Sequence, residues 1–201
     1  MSFFITRRGA DAESRRTRTL TGARSRGLLT LLLALAVPAC ARAQRIPLSQ
    51  QASVRQKIAN TWIEVRYRRP VARGRVLFGN VVEWNRIWTP GADSATTITI
   101  STPVLVQNDT LPAGSYSIWM IPDSAAHWTV VFNKTAAAFH LAYPGEGRDQ
   151  LRVHVTAWQG PHMETLLWYF PVVNGPDATL VMHWGTTGVP LIIKAPAREQ
   201  P

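Results

Sequence analysis

The sequence predicts an all-β domain, an antiparallel β-sandwich or flattened barrel of about eight or nine short strands. Three observations lead to this fold class. Apolar side chains recur at every second residue over short runs, as in strands that bury one face. These runs are rich in Ile and Thr, which favour strands. Clusters of Asn, Asp, Gly and Pro separate the runs and indicate turns.

The predicted strands follow one another from Thr61 to Lys194. In chain order they are 61–67, 95–101, 103–107, 115–121, 128–133, 151–157, 165–170, 178–184 and 189–194. The inward phase of these runs predicts one shared core, because side chains alternate between the two faces of a strand. The core residues so predicted are Ile63, Val65, Ile98, Ile100, Ile118, Val130, Phe132, Val153, Val155, Leu180 and Ile193.

The segments between the strands are predicted as turns, with at most two short helices. Turns are expected at 107–110, 174–177 and 185–188, where residues that tolerate left-handed backbone or stop a strand come together. Only 78–87 and 135–143 have a pattern that permits a helix, and both are short. An antiparallel sheet protein with one or two short helices is therefore expected.

Residues 1–43 are predicted to be an export signal. Arginines precede Leu28–Val37, an apolar run interrupted only by Thr30, and this run is shorter than the about 20 residues that span a bilayer. A signal-peptidase site is offered by the sequence Ala-Arg-Ala at 41–43. Alternatively Cys40, the only cysteine, is the acylated residue of a lipoprotein. The mature protein is expected in the periplasm or cell envelope, at the outer membrane if it is lipidated.

The remainder of the chain is predicted to form one domain. Residues 44–60 are expected to be a tether and lead-in, residues 61–195 the single β-sandwich domain, and residues 196–201 a flexible tail. A chain of about 150 residues buries close to 70% of its unfolded surface, so such a domain needs no disulfide.

The positive charge of the chain belongs mainly to the predicted signal. The whole chain has a net charge of +10, but residues 1–43 hold 8 basic and 2 acidic residues, which leaves +4 for the rest. The charge therefore does not indicate a nucleic-acid partner. The remaining cluster consists of Arg66, Arg68, Arg69, Arg73 and Arg75. It is either a solvated edge that discourages strand-to-strand aggregation or an anion-binding patch.

The sequence contains no catalytic or cofactor motif of high specificity. It has no Gly-x-Ser-x-Gly elbow, phosphate loop, His-Glu-x-x-His helix or cysteine pair. The histidines are expected to be ordinary surface or half-buried side chains, with His154 and His183 on outward strand faces and His162 near Glu164. No metal and no cofactor is therefore predicted.

The eight tryptophans are an unusual excess. Each indole buries a large area, so packing in the core and at its rim is the expected role of most of them. The alternative is an aromatic floor for a sugar ring or an apolar ligand. Trp62 and Trp158 are the best candidates for that floor, because each lies opposite the apolar face of its own strand.

Four segments in the first half of the domain carry a recognisable pattern. They are Tyr67-Arg68-Arg69-Pro70, Gly74-Arg75, Trp88–Ile98 and Leu111–Ser117. In this order and at these spacings they resemble an exported bacterial family, the domain-of-unknown-function family 2911. The resemblance implies a compact, β-rich exported domain and no settled activity.

One of these segments departs from the family pattern, which usually reads Trp-Arg-x-Gly-Ala-Asn-Glu-Ala-Thr. Here Thr89, Asp93 and Ser94 replace the arginine, the asparagine and the glutamate. The segment is either a conformational device, in which Gly91 and Ala92 bend the chain into the next strand, or part of a binding site.

Five residues are the candidate ligand site: Arg69, Arg75, Glu83, Trp88 and Asp93. Successive bends at Pro70, Gly74 and Gly91 are expected to fold this part of the chain over one end or face of the sandwich. The arginines would then lie near Asp93 and the Trp88 ring.

The favoured function is an exported, non-enzymatic protein that binds a small molecule, a glycan or an envelope protein. The first alternative is an envelope hydrolase that uses Glu83 and Asp93 with the arginine cluster, which requires both carboxylates in one concave pocket. The second is a structural envelope protein without a ligand. Membrane contact is expected only through the signal or a lipid on Cys40.

Overall fold

Two antiparallel sheets enclose one apolar core in the computed structural model, which describes residues 47–196. The strands are β1 Gln50–Ile58, β2 Thr61–Arg69, β3 Thr97–Ile100, β4 Val104–Val106, β5 Asp109–Leu111, β6 Gly114–Ile121, β7 His127–Asn133, β8 Asp149–Thr156, β9 Trp158–Asn174 and β10 Asp177–Lys194. A six-stranded sheet has the order β1-β2-β3-β6-β7-β8, and a four-stranded sheet has the order β5-β4-β10-β9. The predicted all-β sandwich is confirmed.

The core lies between the inward faces of the two sheets, where the period-two pattern places it. In the six-stranded sheet Val65, Ile98 and Tyr116 are direct cross-strand neighbours on β2, β3 and β6. Leu180 and Ile193 contribute from β10 and are 0% and 1% exposed. All eleven predicted core residues are buried in one cluster, which confirms the predicted strand phases. Each fully buried aliphatic or Phe side chain stabilises the fold by about 1.5–3 kcal/mol.

β1 corrects the predicted lead-in. Residues 50–58 pair with β2 at nine successive positions and form an edge of the six-stranded sheet. The sequence signal is faint because Ala52 and Gln56 alternate with Val54 and Ile58 on the inward-facing side of the strand. The short segment Pro47–Ser49 precedes this strand. The predicted signal, residues 1–43, lies outside the described residues, as do 44–46 and 197–201.

The segment 185–188 corrects a predicted turn. The segments 178–184 and 189–194 belong to one continuous strand, β10, and the Gly-Thr-Thr-Gly sequence between them forms bulges against β9. Bulges bend a strand without ending it. By contrast, the turn at 107–110 is confirmed, with Gln107 and Asn108 both in the left-handed region at φ 52° and 73°.

Neither predicted helix forms. In 78–87 the chain makes tight turns instead, with Gly79 at φ 88° and Asn85 at φ 59°, and left-handed residues end a right-handed helix. In 135–143 the backbone binds the neighbouring 93–95 segment: Ala95 donates to the carbonyl of Ala138, and His140 donates to that of Asp93. The only helix among the described residues is a single 3-10 turn at Glu146–Arg148.

The tryptophans divide between the core and the surface. Trp119, Trp128, Trp168 and Trp184 are buried, which confirms packing as the role of these four. Trp62 is 42% exposed on the outer face of β2, with the Arg55 guanidinium 4.2 Å from its ring centre.

Trp158 packs on its own sheet and covers His183, so the prediction that this imidazole is at the surface or half-buried is wrong. Its ring lies so close to Gly160 and Gly188 that a Cβ at either glycine would collide with it. It also covers the His183 imidazole, with ring centres 5.0 Å apart. His183 is consequently 4% exposed although it points away from the main core.

The two sheets meet where the chain leaves β2. Leu166 of β9 donates its N–H to the carbonyl of Pro70, and Ala72 donates to the carbonyl of Glu164. Val71 and Thr165 form an antiparallel bridge between these two contacts. Residues 70–72 thus extend β2 along β9, and the irregular segment that follows begins at this junction.

Candidate functional site

A cleft of about 420 Å³, here called the arginine cleft, is lined mainly by residues of the sheet junction and of the segment that follows it. Its size is within the range of small-molecule sites, about 300–1,000 Å³. Its lining consists of Leu48, Ser49, Pro70, Val71, Arg73, Arg75, Val81, Trp88, Gly91, Ala92, His140, Leu141 and Trp184. Three of the four segments that carry the family resemblance therefore contribute to its walls.

The chain from 70 to 88 is folded by a series of tight turns. Arg73 and Gly74 have φ of 53° and 66°, and Arg75 donates its N–H to the carbonyl of Ala72. At Gly79 the Trp84 indole packs where a Cβ would lie. These turns return the chain to the six-stranded sheet.

Trp88 joins the segment to the sheet. Its backbone exchanges two hydrogen bonds with Met120 of β6, of 2.8 and 2.6 Å. Its ring stacks on that of Trp184, with centres 6.2 Å apart and an interplanar angle of 15°. Phe78 meets both rings edge-on, at 6.1 and 6.3 Å. The aromatic wall of the cleft is therefore built from two sheets and the connecting segment, and its geometry is fixed by ring-to-ring packing.

Arg75 is held in place by backbone oxygens. Its Nε donates to the carbonyl of Ala72 at 2.9 Å, and its Nη2 donates to that of Val71 at 2.8 Å. No carboxylate in residues 47–196 lies within ion-pair distance of this guanidinium. The group is thus oriented, charged and able to donate further hydrogen bonds from Nη1.

Glu164 lies on the other side of this turn. The hydrogen bond from His162, the N–H of Arg73 and, as the weakest of the favourable effects, the charge of Arg75 lower the pKa of the Glu164 carboxyl. Its Oε1 accepts from the Arg73 N–H at 2.7 Å, and its Oε2 lies 2.8 Å from His162 Nε2. The expected proximity of His162 and Glu164 is confirmed.

His140 completes the polar side of the arginine cleft. Its Nδ1 lies 2.8 Å from the carbonyl oxygen of Asp93, which can only accept a hydrogen bond. Nδ1 therefore carries the proton, and Nε2 is an acceptor in the neutral ring. No Asp or Glu side chain of the described part of the chain lines the cleft, whereas two arginines do. The cleft is consequently suited to an anion.

The five residues proposed from the sequence separate into two groups. Arg75 and Trp88 line the arginine cleft. Asp93 follows its Gly91-Ala92 wall, but its carboxylate pairs with Arg68 at 3.6 Å rather than with Arg69 or Arg75.

The other two of the five have different partners. Arg69 donates from Nε to the carbonyl of Leu166 and so fastens β2 to β9. Glu83 pairs with Arg86 at 3.7 Å on the surface, where its side chain is 70% exposed, and lies outside the cleft walls.

The Trp88–Ile98 segment has the conformational role that was one of its two interpretations. Thr89 is 1% exposed, and its hydroxyl donates to the carbonyl of Ile118 and accepts from the N–H of Thr96. The Thr96 hydroxyl donates to the carbonyl of Pro90. These bonds hold the bend against β6 and present Gly91 and Ala92 to the cleft.

A second cleft of about 310 Å³, here called the glutamine cleft, was not predicted from the sequence. It shares Arg75 and Trp184 with the arginine cleft. Its further lining consists of Val76, Leu77, Phe78, Trp84, Gln159, His162, Gly185, Thr186 and Thr187. Its polar residues come mostly from the bulged part of β9 and β10. Alternation alone does not reveal bulges, and the sequence of 185–188 predicts a turn instead.

Between residues 47 and 196 no three His, Cys, Asp or Glu side chains are grouped so that they could hold a metal ion. Over the same range no helix is long and apolar enough to cross a membrane.

The chain belongs to a family described as protein of unknown function (DUF2911), whose model matches residues 49–193. This confirms the resemblance read from the four segments. No curated protein and no solved structure matches the chain.

Proposed function

We propose that this member of the DUF2911 family is an exported, non-enzymatic binding protein for a small anionic molecule that also carries an apolar or ring-shaped face. One observation carries the proposal: an oriented guanidinium, Arg75, stands beside the Trp88–Trp184 wall in a cleft that no acidic side chain of residues 47–196 lines. Positive charge beside an aromatic surface suits a ligand with both properties.

The binding chemistry follows from the fixed position of Arg75. A guanidinium can donate to a carboxylate or phosphate from two nitrogens, and an arginine that is already ordered loses little side-chain freedom on binding. Arg73 adds a second positive charge, and His140 Nε2 and the Ser49 hydroxyl add polar contacts. The Trp88 ring offers an apolar face to the rest of the ligand.

The hydrolase alternative has less support. A paired-carboxylate mechanism needs two acids across one pocket, at most about 9.5 Å apart. Glu83 and Asp93 each pair with a different surface arginine, Arg86 and Arg68, and neither lines the arginine cleft. A purely structural role leaves the free donor capacity of Arg75 without a purpose.

Export is the part of the proposal that rests on residues 1–43 alone. The basic region, short apolar run and Ala-Arg-Ala sequence stand in the order of a signal peptide. Intact-mass measurement of the envelope fraction tests it. We expect a chain that starts at Gln44 or a diacylated chain that starts at Cys40. A cytoplasmic chain that still starts at Met1 would overturn export.

The binding proposal is tested by extraction of small molecules from the protein purified in its native envelope form. Mass spectrometry should find an anionic compound with the wild type and with Arg86→Ala, which removes a surface arginine outside the cleft. The compound should be absent from Arg75→Lys, whose single nitrogen cannot reproduce the planar guanidinium that binds the two backbone carbonyls and the ligand together. An equal yield from Arg75→Lys and the wild type, with equal thermal stability, contradicts the proposal.

A further inference from the structure

We infer that the arginine cleft and the glutamine cleft are two subsites of one groove that binds an acidic oligosaccharide. The carboxylate of one sugar unit lies against Arg75, and the neighbouring unit occupies the glutamine cleft. The inference rests on the proposed function, because it assigns the anion-binding site a ligand class and a length.

The two clefts are joined by shared walls. Arg75 and Trp184 line both of them, and the Arg75 guanidinium is tied to the backbone of 71 and 72 by its Nε and Nη2. The two clefts are therefore neighbours on either side of Arg75 and Trp184, and a ligand bound at Arg75 in one cleft lies next to the other. Each cleft has the volume of a small ligand site, so the pair suits a ligand of at least two units.

The glutamine cleft has neutral polar groups of the kind that bind sugar hydroxyls. Thr186 donates from Oγ1 to Gln159 Oε1 at 2.7 Å, and Gln159 Nε2 donates to Thr187 Oγ1 at 3.2 Å. This chain orients the amide and both hydroxyls and leaves lone pairs and a second amide hydrogen available. Hydroxyl-rich rings match alternating donors and acceptors better than a phosphate or a purely apolar molecule does.

His162 adds a hydrogen-bonding nitrogen at the same place. Its Nε2 lies 2.8 Å from Glu164 Oε2, and since the ionised carboxylate only accepts, Nε2 carries a proton. Nδ1 is left to bond a sugar hydroxyl, which can both donate and accept. Glu164 is not a lining residue, so the cleft presents the imidazole rather than the carboxylate.

Trp84 supplies an aromatic face to the glutamine cleft. It is 37% exposed, and its indole packs over Gly79, where any Cβ would collide with it. The apolar C–H face of a sugar ring packs on such a surface while its hydroxyls bind the polar groups opposite. The acidic requirement comes from the other cleft, where Arg73 and Arg75 lie without an acidic lining residue.

The test is calorimetric titration of the mature protein with galacturonic acid and its linear dimer and trimer, and with neutral cellotriose as a charge control. We expect the trimer to bind at least ~10-fold more tightly than the monomer, and cellotriose to bind more weakly than the trimer. Gln159→Ala should reduce the affinity for the trimer to that for the monomer, and should leave the affinity for the monomer unchanged. Gln51→Ala, an exposed glutamine on β1, is the matched control and should change neither.

The outcomes separate this inference from the proposed function. Equal affinities for monomer and trimer, both weakened by Arg75→Lys, overturn the two-subsite groove and leave anion binding intact. No binding of any galacturonate overturns the saccharide assignment, whereas the Arg75-dependent extraction from the envelope form is independent of it. Trp84→Ala provides a second variant, because Ala in place of Gly79, whose φ is 88°, would also strain the turn. Trimer affinity that Trp84→Ala leaves unchanged contradicts the aromatic platform.

Discussion

The six-stranded sheet and the segment from 70 to 96 contain the same kinds of residue but place them differently. In the sheet, the inward positions carry aromatic and aliphatic side chains such as Phe132 and Trp128, which are 0% and 1% exposed. In the segment, Trp84 and Trp88 are partly exposed, and the Arg75 guanidinium is bound to backbone carbonyls. The sheet buries its groups, whereas the segment positions them at the surface.

This difference indicates where stability and binding reside. The sheet's alternating faces bury large side chains in one cluster, which is the dominant favourable contribution to folding. The segment lies against the sheets through Trp88, Thr89 and the 70–72 extension, and leaves donors such as Arg75 Nη1 available. Substitutions in the two regions should therefore separate loss of folding from loss of binding.

The largest expected effect is loss of stability from a substitution in the sheet. Phe132→Ala removes a side chain that is 0% exposed and leaves a cavity, so the free energy of unfolding should fall by about 3–5 kcal/mol. Urea denaturation measures it, and Thr129→Ala, which points outward on the same strand, is the control. An unchanged midpoint for Phe132→Ala would mean that the two regions do not divide stability in this way.

A smaller loss is expected where the segment is fastened to the sheet. Thr89→Val keeps the shape of the side chain but leaves the Thr96 N–H and the Ile118 carbonyl without their hydroxyl partner. An unsatisfied buried polar group costs about 1–3 kcal/mol. Thr99→Val, at an exposed position on β3, should cost less. Equal effects in thermal denaturation would show that the bend does not depend on the Thr89 hydroxyl.

A pH-dependent effect is expected at the outer face of the six-stranded sheet. Burial and the hydrogen bond to Asp149 raise the pKa of Tyr143 to about 12, although Arg152 opposes this. An unfolded tyrosine loses its proton near pH 10, so the stabilisation is complete below about pH 10 and is lost as pH rises toward 12.

The variant Tyr143→Phe isolates that effect. Its free energy of unfolding should be lower than that of the wild type at pH 8, and the difference should shrink between pH 10 and 12. Tyr169→Phe, on β9, provides the comparison with a second tyrosine. A Tyr143→Phe difference that stays constant across this pH range would exclude Tyr143 as the titrating group.

The sheet was predictable because its signal is local. Alternation at two-residue period assigns a face to Val65 or Val153 without any knowledge of its neighbours, and those faces are confirmed. The sequence pattern does not reveal β1, because Ala52 and Gln56 interrupt its apolar face and the strand depends on pairing with β2. The helix predicted at 135–143 does not form because of another contact that the local pattern does not show: the backbone of this segment binds residues 93–95.

The candidate site was only partly predictable because it depends on contacts distant in sequence. The bends around Arg75 and Trp88 predict both as site residues, and both line the arginine cleft. Arg69 and Arg75 are the partners that the sequence predicts for Asp93. Its carboxylate pairs with Arg68 instead, because the Arg68 side chain lies on the face of β2 that is turned toward Asp93. Gln159 and Thr187 come together only through the bulged pairing of β9 with β10.

The surface around Trp62 is the strongest rival to the clefts within the described residues. Its ring is exposed, and Arg55 and Lys57 lie 4.2 and 6.0 Å from its centre, so it also combines an aromatic face with positive charge. It lies on the flat outer face of β1 and β2, where neither cleft reaches. A ligand that bound there would place the binding site on the six-stranded sheet rather than on the segment from 70 to 96.

The most direct test is a two-dimensional NMR spectrum of the indole N–H groups, recorded during titration with trigalacturonate. Every tryptophan side chain gives one signal, so one experiment observes both regions at once. We expect the signals of Trp84, Trp88 and Trp184 to shift with one common binding constant while those of Trp62, Trp119, Trp128 and Trp168 stay in place. A shift at Trp62 with no change at Trp88 and Trp184 would contradict the assignment of binding to the segment from 70 to 96.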